Sequence, residues 1–223
     1  MKIFLDSANL QDIKMWFPTG VIDGVTTNPT IMLRQGVRNI RERIAEIADY
    51  IAPFPLSAEV LSDDQEDIVR QGLSLSEIAT NVVVKVPIVD RAGVPSLVAI
   101  KRLSDKGVTV NCTACLTFNQ AVLATRAGAS YVSIMVGRIA DEGQPGEEVV
   151  RCLRNWLDRW ELKTKIISAS IRSLIDIQRV AVSGSDIITI PPDLLAKMAD
   201  HKYTRHTVEQ FLNDGAGLNE GAY

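Results

Sequence analysis

Stretches with the apolar pattern of strands alternate along the whole chain with stretches of helical periodicity. The strand-like stretches are residues 3–6, 24–27, 56–60, 82–86, 108–112, 131–136, 165–171 and 186–190. The amphipathic stretches are residues 10–16, 38–51, 64–78, 96–106, 119–127, 147–160, 174–182 and 192–198. Strand-then-helix units repeated in this way predict an α/β fold, a (β/α)8 TIM barrel, with a doubly wound open sheet as the alternative. The sequence contains neither a Gly-x-Gly-x-x-Gly nor a P-loop motif that would favour the open sheet.

Capping residues agree with these boundaries. Asn9 is expected to cap the first helix and Ser62 or Asp63 the third. The glycines expected just after helix ends are Gly107, Gly128 and Gly184.

No linker divides the chain, so residues 1–200 are predicted to form one catalytic barrel domain. A further amphipathic stretch, residues 204–212, carries Val208, Phe211 and Leu212 on one face. It predicts an extra C-terminal helical arm over residues 201–214. Residues 215–223 are expected to be a flexible tail.

Composition narrows the choice of partners and compartment. The chain has 223 residues, 46% hydrophobic and 23% charged, which is typical of a soluble globular protein. A net charge of −3 gives no basic surface for nucleic acid or for an anionic membrane. No apolar run has the length of a membrane span, and an acidic residue follows too soon for a signal peptide, so we expect a cytoplasmic protein.

Cysteine usage indicates free thiols. Three cysteines are an odd number, which disfavours a disulfide framework. Cys112 and Cys115 form a Cys-x-x-Cys motif near a strand end, a weak redox signal that buried free thiols explain better. No metal site is expected, because His201 and His206 lie far along the chain.

A lysine lies inside the most strand-like run, residues 81–87. The valines around Lys85 predict a strand buried on both faces, as in parallel sheets. Burial disfavours a charged ammonium, and a neutral amine can attack a carbonyl carbon, as in Schiff-base enzymes. The alternative is a lysine at the strand end whose ammonium reaches water at the rim.

Alternation of side chains along each strand collects polar residues on one face. The predicted inward set is Asp6, Thr26, Asn28, Ser57, Glu59, Lys85, Asn111, Thr113, Ser133, Ser168, Ser170 and Arg172. Barrel enzymes carry their active sites at the C-terminal ends of the strands, where most of this set falls. Taken singly, Asp6 could be a helix cap, Asn28 a turn residue, and Arg138 and Arg172 partners in surface salt bridges. A shared active site explains all of these polar residues together.

Seven segments resemble the small transaldolases and the related fructose-6-phosphate aldolases, in register over nearly the whole chain. They are Leu5-Asp6, Gly24-Val25-Thr26-Thr27-Asn28-Pro29-Thr30, Ser57-Ala58-Glu59-Val60, Val84-Lys85-Val86-Pro87, Asn111-Cys112-Thr113, Val136-Gly137-Arg138-Ile139 and Ala169-Ser170-Ile171-Arg172.

The resemblance implies a cofactor-free transaldolase of the pentose phosphate pathway. Lys85 would form a Schiff base with a ketose phosphate, and Asp6 would act as the acid and base. Glu59 and Thr113 would hold a water that relays protons. The donor-hydroxyl contacts it implies are Thr26, Asn28, Asn111 and Ser133, and the phosphate contacts are Arg138, Ser170 and Arg172. It also implies a homo-oligomer, a ring of five or a decamer, in which the terminal helix reaches a neighbour.

Two positions distinguish branches of the family. Glu59 resembles the transaldolases, whereas the aldolases tend to have glutamine there. Met135 stands where transaldolases usually have phenylalanine and the aldolases tyrosine, so it alters the wall of the substrate pocket. The alternatives are therefore an aldolase that releases free dihydroxyacetone, a specialised transaldolase with an uncommon acceptor, and a barrel that binds sugar phosphates without chemistry.

Overall fold

The computed structural model describes residues 1–216 of the chain, which form a closed barrel of parallel strands surrounded by helices. The strands are β1 (Lys2–Asp6), β2 (Gly24–Thr26), β3 (Leu56–Glu59), β4 (Val82–Pro87), β5 (Val110–Cys115), β6 (Tyr131–Met135), β7 (Lys165–Ala169) and β8 (Ile187–Ile190). The helices are α1 (Leu10–Trp16), α2 (Pro29–Arg34), α3 (Ile40–Ile51), α4 (Gln65–Ser76), α5 (Leu97–Asp105), α6 (Phe118–Arg126), α7 (Val136–Asp141), α8 (Gly146–Arg159), α9 (Leu174–Val182), α10 (Pro192–Ala199) and α11 (Lys202–Ala216).

Pairing of the first and last strands closes the sheet. β1 runs parallel to β8, with Lys2 opposite Ile187 and Leu5 opposite Ile190. Strands that follow one another along the chain also pair with each other, in the order β1 to β8. The predicted (β/α)8 TIM barrel is therefore confirmed, and the open sheet is excluded.

Two separate apolar clusters fill the structure. The larger one lies between the strands and the helices, where the outward faces of the strands carry residues such as Leu5, Val84 and Val132. The smaller one comprises Phe4, Ile167 and Ile187, with Tyr131 packed against it. Its members alternate with the outward set on β1, β6, β7 and β8, which places them inside the barrel. They sit toward the N-terminal ends of these strands and leave the C-terminal ends for polar groups.

One predicted strand face is wrong. Ser168 was expected to point into the barrel, but its hydroxyl lies 2.8 Å from that of Ser185, outside the inner cluster, while Ile167 faces inward. β7 ends at Ala169 rather than at residue 171, and Ser170 has a positive φ of 61°. The turn at Ser170, not strand alternation, brings this residue to the inside.

Most predicted helix ends are confirmed. Asn9 caps α1 by accepting a hydrogen bond from the backbone N–H of Gln11, which also removes the alternative that Asp6 is the cap. The expected caps of the third helix were wrong, because Asp64 caps α4 by accepting from the Asp67 N–H. The glycines at the three predicted helix ends all have positive φ, as Gly107, Gly128 and Gly184 show.

The chain continues past the barrel into α11, none of whose residues is buried. This helix corresponds to the expected arm, residues 201–214, and also includes Gly215 and Ala216 from the expected tail. The rest of that tail, residues 217–223, lies outside the described residues. Across the part of the chain that is described, no helix is both long and apolar enough to cross a membrane.

Candidate active site

A cavity of about 540 Å³ opens at the C-terminal ends of the strands. Its walls are Asp6, Thr26, Asn28, Pro29, Thr30, Ile31, Arg34, Glu59, Lys85, Thr113, Ala114, Ser133, Met135, Arg138, Ala169, Ser170, Ile171, Arg172, Thr189 and Pro191. The residues that the family resemblance implies for the site, together with Met135, all line this cavity except Asn111. Ser57 and Ser168 of the predicted inward set do not line it either. The cavity carries carboxylates and a lysine at depth and arginines among its outer walls.

Lys85 lies on the inner face of β4, between Glu59 of β3 and Asn111 of β5 in the strand register. Its ammonium nitrogen lies 3.1 Å from a carboxylate oxygen of Glu59 and donates to the Thr27 carbonyl oxygen at 3.0 Å. The residue is only 8% exposed. The lysine is therefore held by a carboxylate inside the barrel, with its amine at the cavity wall, and is not extended into solvent at the rim.

Asp6 ends β1 and faces the same cavity. Its carboxylate accepts a hydrogen bond of 2.7 Å from the Thr26 hydroxyl, which lies 2.5 Å from the Thr189 hydroxyl. Burial raises the pKa of Asp6, and the negative charge of Glu59 adds to this, while Lys85 and the Thr26 hydrogen bond act in the opposite direction. The net effect is a carboxylate that binds a proton more readily than one in water.

A bulge in β5 brings Thr113 and Ala114 to the cavity. The pairing with β6 runs regularly to Cys112 and resumes at Cys115, so three steps on β5 match two on β6. Ala114, inside the bulge, has a φ of 59°, in the left-handed region. β5 was predicted to end at residue 112; the bulge extends it and aims two consecutive residues at the site.

Asn111 is the one expected site residue that does not line the cavity. It is fully buried, and its amide nitrogen donates to the Ser57 hydroxyl at 3.2 Å. Its amide oxygen accepts from the Ser133 hydroxyl at 2.8 Å. Asn111 thus lies in a hydrogen-bonded layer next to the cavity and positions Ser133, which does reach the wall.

Arg138, Ser170 and Arg172 form one side of the cavity, after β6 and β7. Arg172 forms a salt bridge with Asp141, and both arginines are exposed. A Cβ on Gly137 would lie 2.0 Å from the Ser170 carbonyl oxygen and 3.0 Å from the Arg172 Nε. Only glycine permits this close approach of α7 to the turn after β7. The two arginines with a nearby hydroxyl are suited to an oxyanion such as phosphate.

Asn28 is a cap and a wall residue at once. Its side-chain oxygen accepts from the Ile31 N–H at the start of α2, as a turn role would require. Its amide group also lines the cavity, where the side-chain nitrogen remains available as a donor.

Sequence reasoning missed three polar wall residues of this cavity, Thr30, Arg34 and Thr189. Alternation on β8 could have found Thr189, because Ile187 and Thr189 share the inner face. Arg34 lies on α2, a helix of six residues that is too short to show a clear period.

Residues 1–216 contain no group of three or more His, Cys, Asp or Glu side chains placed to hold a metal ion. The chemistry available to the cavity side chains is that of an amine, two carboxylates, hydroxyls and guanidinium groups. These groups can add an amine to a carbonyl, move protons and bind an oxyanion.

Comparison with known proteins gives matches over nearly the full length. A family model described as "Transaldolase/Fructose-6-phosphate aldolase" matches residues 3–220. A "Probable transaldolase" of Leptospira biflexa is 39% identical over 219 residues, which are 98% of this chain and 100% of that protein. One of a Caulobacter species is 41% identical over 220 residues, 99% of each chain. One of Carboxydothermus hydrogenoformans is 40% identical over 214 residues, 96% of this chain and 97% of the relative.

Proposed function

Because the chain belongs to the transaldolase/fructose-6-phosphate aldolase family, we propose that it is a transaldolase working through a Schiff base on Lys85. It transfers a dihydroxyacetone unit from a ketose phosphate, fructose 6-phosphate or sedoheptulose 7-phosphate, to an aldose phosphate. The observation that carries this proposal is the Lys85 amine, held at the wall of a cavity by Glu59 at 3.1 Å. A role in the pentose phosphate pathway and a cytoplasmic location belong to the proposal and rest on family membership alone.

The first step joins the substrate to the lysine. Lys85 transfers a proton to Glu59, and its neutral amine forms a bond to the ketone carbon. The carbonyl oxygen then leaves as water, which gives an iminium ion. Glu59 lies at hydrogen-bond distance from the amine, and the water proposed between Glu59 and Thr113 would carry protons in both directions.

The second step breaks a carbon–carbon bond. Asp6 removes the proton from the hydroxyl beyond the bond, the bond breaks, and its electron pair passes into the iminium to form an enamine. An aldose phosphate departs. The raised pKa of Asp6 supports this role, since it makes the carboxylate a stronger base than an exposed aspartate. Addition of the enamine to an acceptor aldehyde and hydrolysis of the imine restore the free Lys85.

The remaining wall residues bind the substrate in this proposal. Thr26, Asn28 and Ser133 contact the hydroxyls of the donor, and Asn111 acts through its hydrogen bond to Ser133. The phosphate lies against the side formed by Arg138, Ser170 and Arg172.

A second candidate is a fructose-6-phosphate aldolase that releases free dihydroxyacetone. Glu59 disfavours it, because the aldolases resembled in sequence tend to have glutamine there. Met135 disfavours it too, since it lines the cavity without the hydroxyl of a tyrosine. Met135 also lacks an aromatic ring, which leaves room for a transaldolase with an uncommon acceptor.

Borohydride trapping tests the covalent step. Incubation with fructose 6-phosphate and borohydride should add the dihydroxyacetone unit to Lys85, as peptide mass analysis would detect. The Lys85→Met variant should neither be trapped nor transfer the unit, while Lys101→Met, on the exposed face of α5, should do both. A protein that binds the sugar phosphate but is never trapped would be a binding barrel without chemistry.

Assays with a panel of aldose phosphates, and without any acceptor, separate the transferase from the aldolase.

The same proposal includes a homo-oligomer in which α11 contacts a second copy. Helix α11 buries none of its residues, and Val208, Phe211 and Leu212 are at least half exposed, although they are apolar. Such a face is typical of a surface that is covered by a partner. A pentamer or decamer is the assembly implied by the family resemblance.

A further inference from the structure

Two cysteines lie side by side behind the catalytic wall. The sulfurs of Cys112 and Cys115 are 3.9 Å apart, and both side chains are fully buried. Both belong to the apolar cluster between the strands and the helices. A regular strand would place residues three apart on opposite faces, but the β5 bulge puts both thiols on the same side. The motif therefore lies within a strand and not at a helix start, since α6 begins only at Phe118.

We propose that Cys112 and Cys115 form an oxidation site, a dithiol that closes to a disulfide and thereby disables the catalytic wall on β5. Because the bulge matches three residues to two on β6, the Cα atoms of the cysteines are separated by about two strand steps, roughly 6.6 Å. Disulfides span Cα separations of about 4.4–6.8 Å, so the bond can form near the upper limit of that range.

Closing the bond moves the bulge. The sulfurs must approach from 3.9 Å to about 2.05 Å. The two residues between them, Thr113 and Ala114, are the ones that face the cavity, and Ala114 is already in the left-handed region. Contraction of this segment displaces the Thr113 side chain from the wall of the cavity that Lys85 also lines. The thiols themselves do not contact the substrate, so the effect is transmitted through the backbone of β5.

The oxidant is a peroxide. One thiolate attacks hydrogen peroxide and becomes a sulfenic acid, with loss of hydroxide. The second thiol attacks that sulfur, the disulfide forms, and water leaves. The sum is two thiols and one peroxide giving one disulfide and two waters. A dithiol reductant returns both thiols by exchange.

The environment of the two thiols indicates that they oxidise slowly and that they are not a catalytic redox pair. The hydrogen bond with Cys115, together with burial, raises the pKa of Cys112 well above its ordinary value. Catalytic Cys-x-x-Cys pairs have a lowered thiol pKa and an accessible sulfur. The pair on β5 therefore oxidises only on prolonged exposure to peroxide and does not exchange disulfides with other proteins.

The test uses the full chain with Cys152→Ser, which removes the exposed cysteine of α8 and leaves only the pair. After hydrogen peroxide treatment, peptide mapping should find the Cys112–Cys115 disulfide. Dihydroxyacetone transfer should fall in parallel, on the order of tenfold or more for a displaced catalytic group. Dithiothreitol should restore both the thiols and the activity.

Cys152→Ser,Cys115→Ala is the matched control, because it has one thiol of the pair and should show no loss that dithiothreitol reverses. A disulfide that forms without loss of activity overturns the proposal, and so does peroxide treatment that leaves both thiols free. The link to activity rests on the proposed function, whereas the disulfide itself is measured independently. If the reduced enzyme transfers nothing, the proposed function fails, and the mapped disulfide still decides whether the oxidation site exists.

Discussion

Asp6, the proposed acid–base residue, illustrates at the scale of one residue how a buried carboxylate can lower the stability of its own fold. Burial raises the pKa of its carboxyl. In the unfolded chain the same carboxyl has an ordinary pKa, so the folded state binds the proton more tightly. Its contribution to stability is fully present only below the unfolded-state pKa and is lost as the pH rises through the folded-state value. Above the folded-state pKa, the ionised Asp6 therefore lowers the free energy of unfolding.

We expect Asp6→Asn to raise the melting temperature by a few degrees at neutral pH, because the amide can still accept from Thr26 and carries no buried charge. The gain should disappear below the ordinary carboxyl pKa, where Asp6 is protonated in both states. Transfer activity should fall by about 10²-fold or more, as expected for loss of an acid–base group. Thermal melts across pH and steady-state kinetics measure the two effects. Asp193→Asn, on the surface of α10, should change neither, and a less stable Asp6→Asn protein at neutral pH would contradict the expectation.

Gly137 is a second residue whose identity the site requires. In Gly137→Ala the new Cβ would lie 2.0 Å from the Ser170 carbonyl oxygen, so the backbone of α7 or of the turn must move. We expect the KM for fructose 6-phosphate to rise by roughly tenfold or more, with a loss of about 1–3 kcal/mol in stability.

Gly215→Ala on α11 is the control for this prediction, since a Cβ there meets nothing within 4 Å. It should leave both the KM and the melting temperature of the barrel unchanged. A Gly137→Ala protein that is less stable but has the parental KM would show that Gly137 serves packing alone.

The sequence predicted most of this site because strand alternation is a local property. It placed Asp6, Glu59 and Lys85 inside the barrel from residue order alone, and all three line the cavity. It failed at Ser168, where the strand ends earlier than its apolar pattern and a positive φ at Ser170 replaces the alternation. It also could not tell that Asn111 bonds to its neighbours in place of facing the cavity, because that depends on side chains from three strands.

At the scale of elements, the structure differs from the sequence prediction mainly in its short helices. α2 and α7 have six residues each, fewer than two full turns, so neither produces a recognisable period. Both follow directly on a strand or its loop and carry an arginine to the cavity, Arg34 and Arg138. The long helices around the barrel, such as α3, α4 and α8, were predicted well, because each buries one apolar face.

α11 is the element whose environment differs most from that of the others, as none of its residues is buried against the rest of the described chain, residues 1–216. If it contacts another copy, Phe211→Asp should dissociate the assembly into smaller species in sedimentation velocity experiments. Gln210→Asp adds the same charge one position away and should keep the parental assembly. Unchanged sedimentation of the Phe211 variant would mean that α11 is not an interface.

At the scale of the whole molecule, apolar packing and the polar cavity occupy different parts of the barrel along its axis. The small inner cluster of Phe4, Ile167 and Ile187 fills the N-terminal half, and the polar cavity occupies the C-terminal half. The Phe4 ring is closely packed, since a Cβ on Gly24 would lie 2.8 Å from it. Chemistry can therefore vary at one end while packing at the other end keeps the barrel closed.

Phe4→Ala should accordingly lower the free energy of unfolding by about 3–5 kcal/mol, as for other buried Phe-to-Ala changes. The KM for fructose 6-phosphate should stay within about twofold of the parent below the melting transition, because Phe4 lies outside the cavity wall. Urea denaturation and kinetics at low temperature measure these quantities. The control, Leu33→Ala, removes a side chain that is 78% exposed and should alter neither. A rise in KM as large as that of Gly137→Ala would contradict the separation.

Because β1 pairs with β8, the barrel cannot close until translation is nearly complete. The edge of β1 that will receive Ile187–Ile190 is the first part of the barrel to be synthesised, and its partner is among the last. A nascent chain must therefore carry an unsatisfied strand edge through most of translation, which is a state prone to self-association. Cells that synthesise this protein rapidly should depend on chaperones until the last strand has emerged.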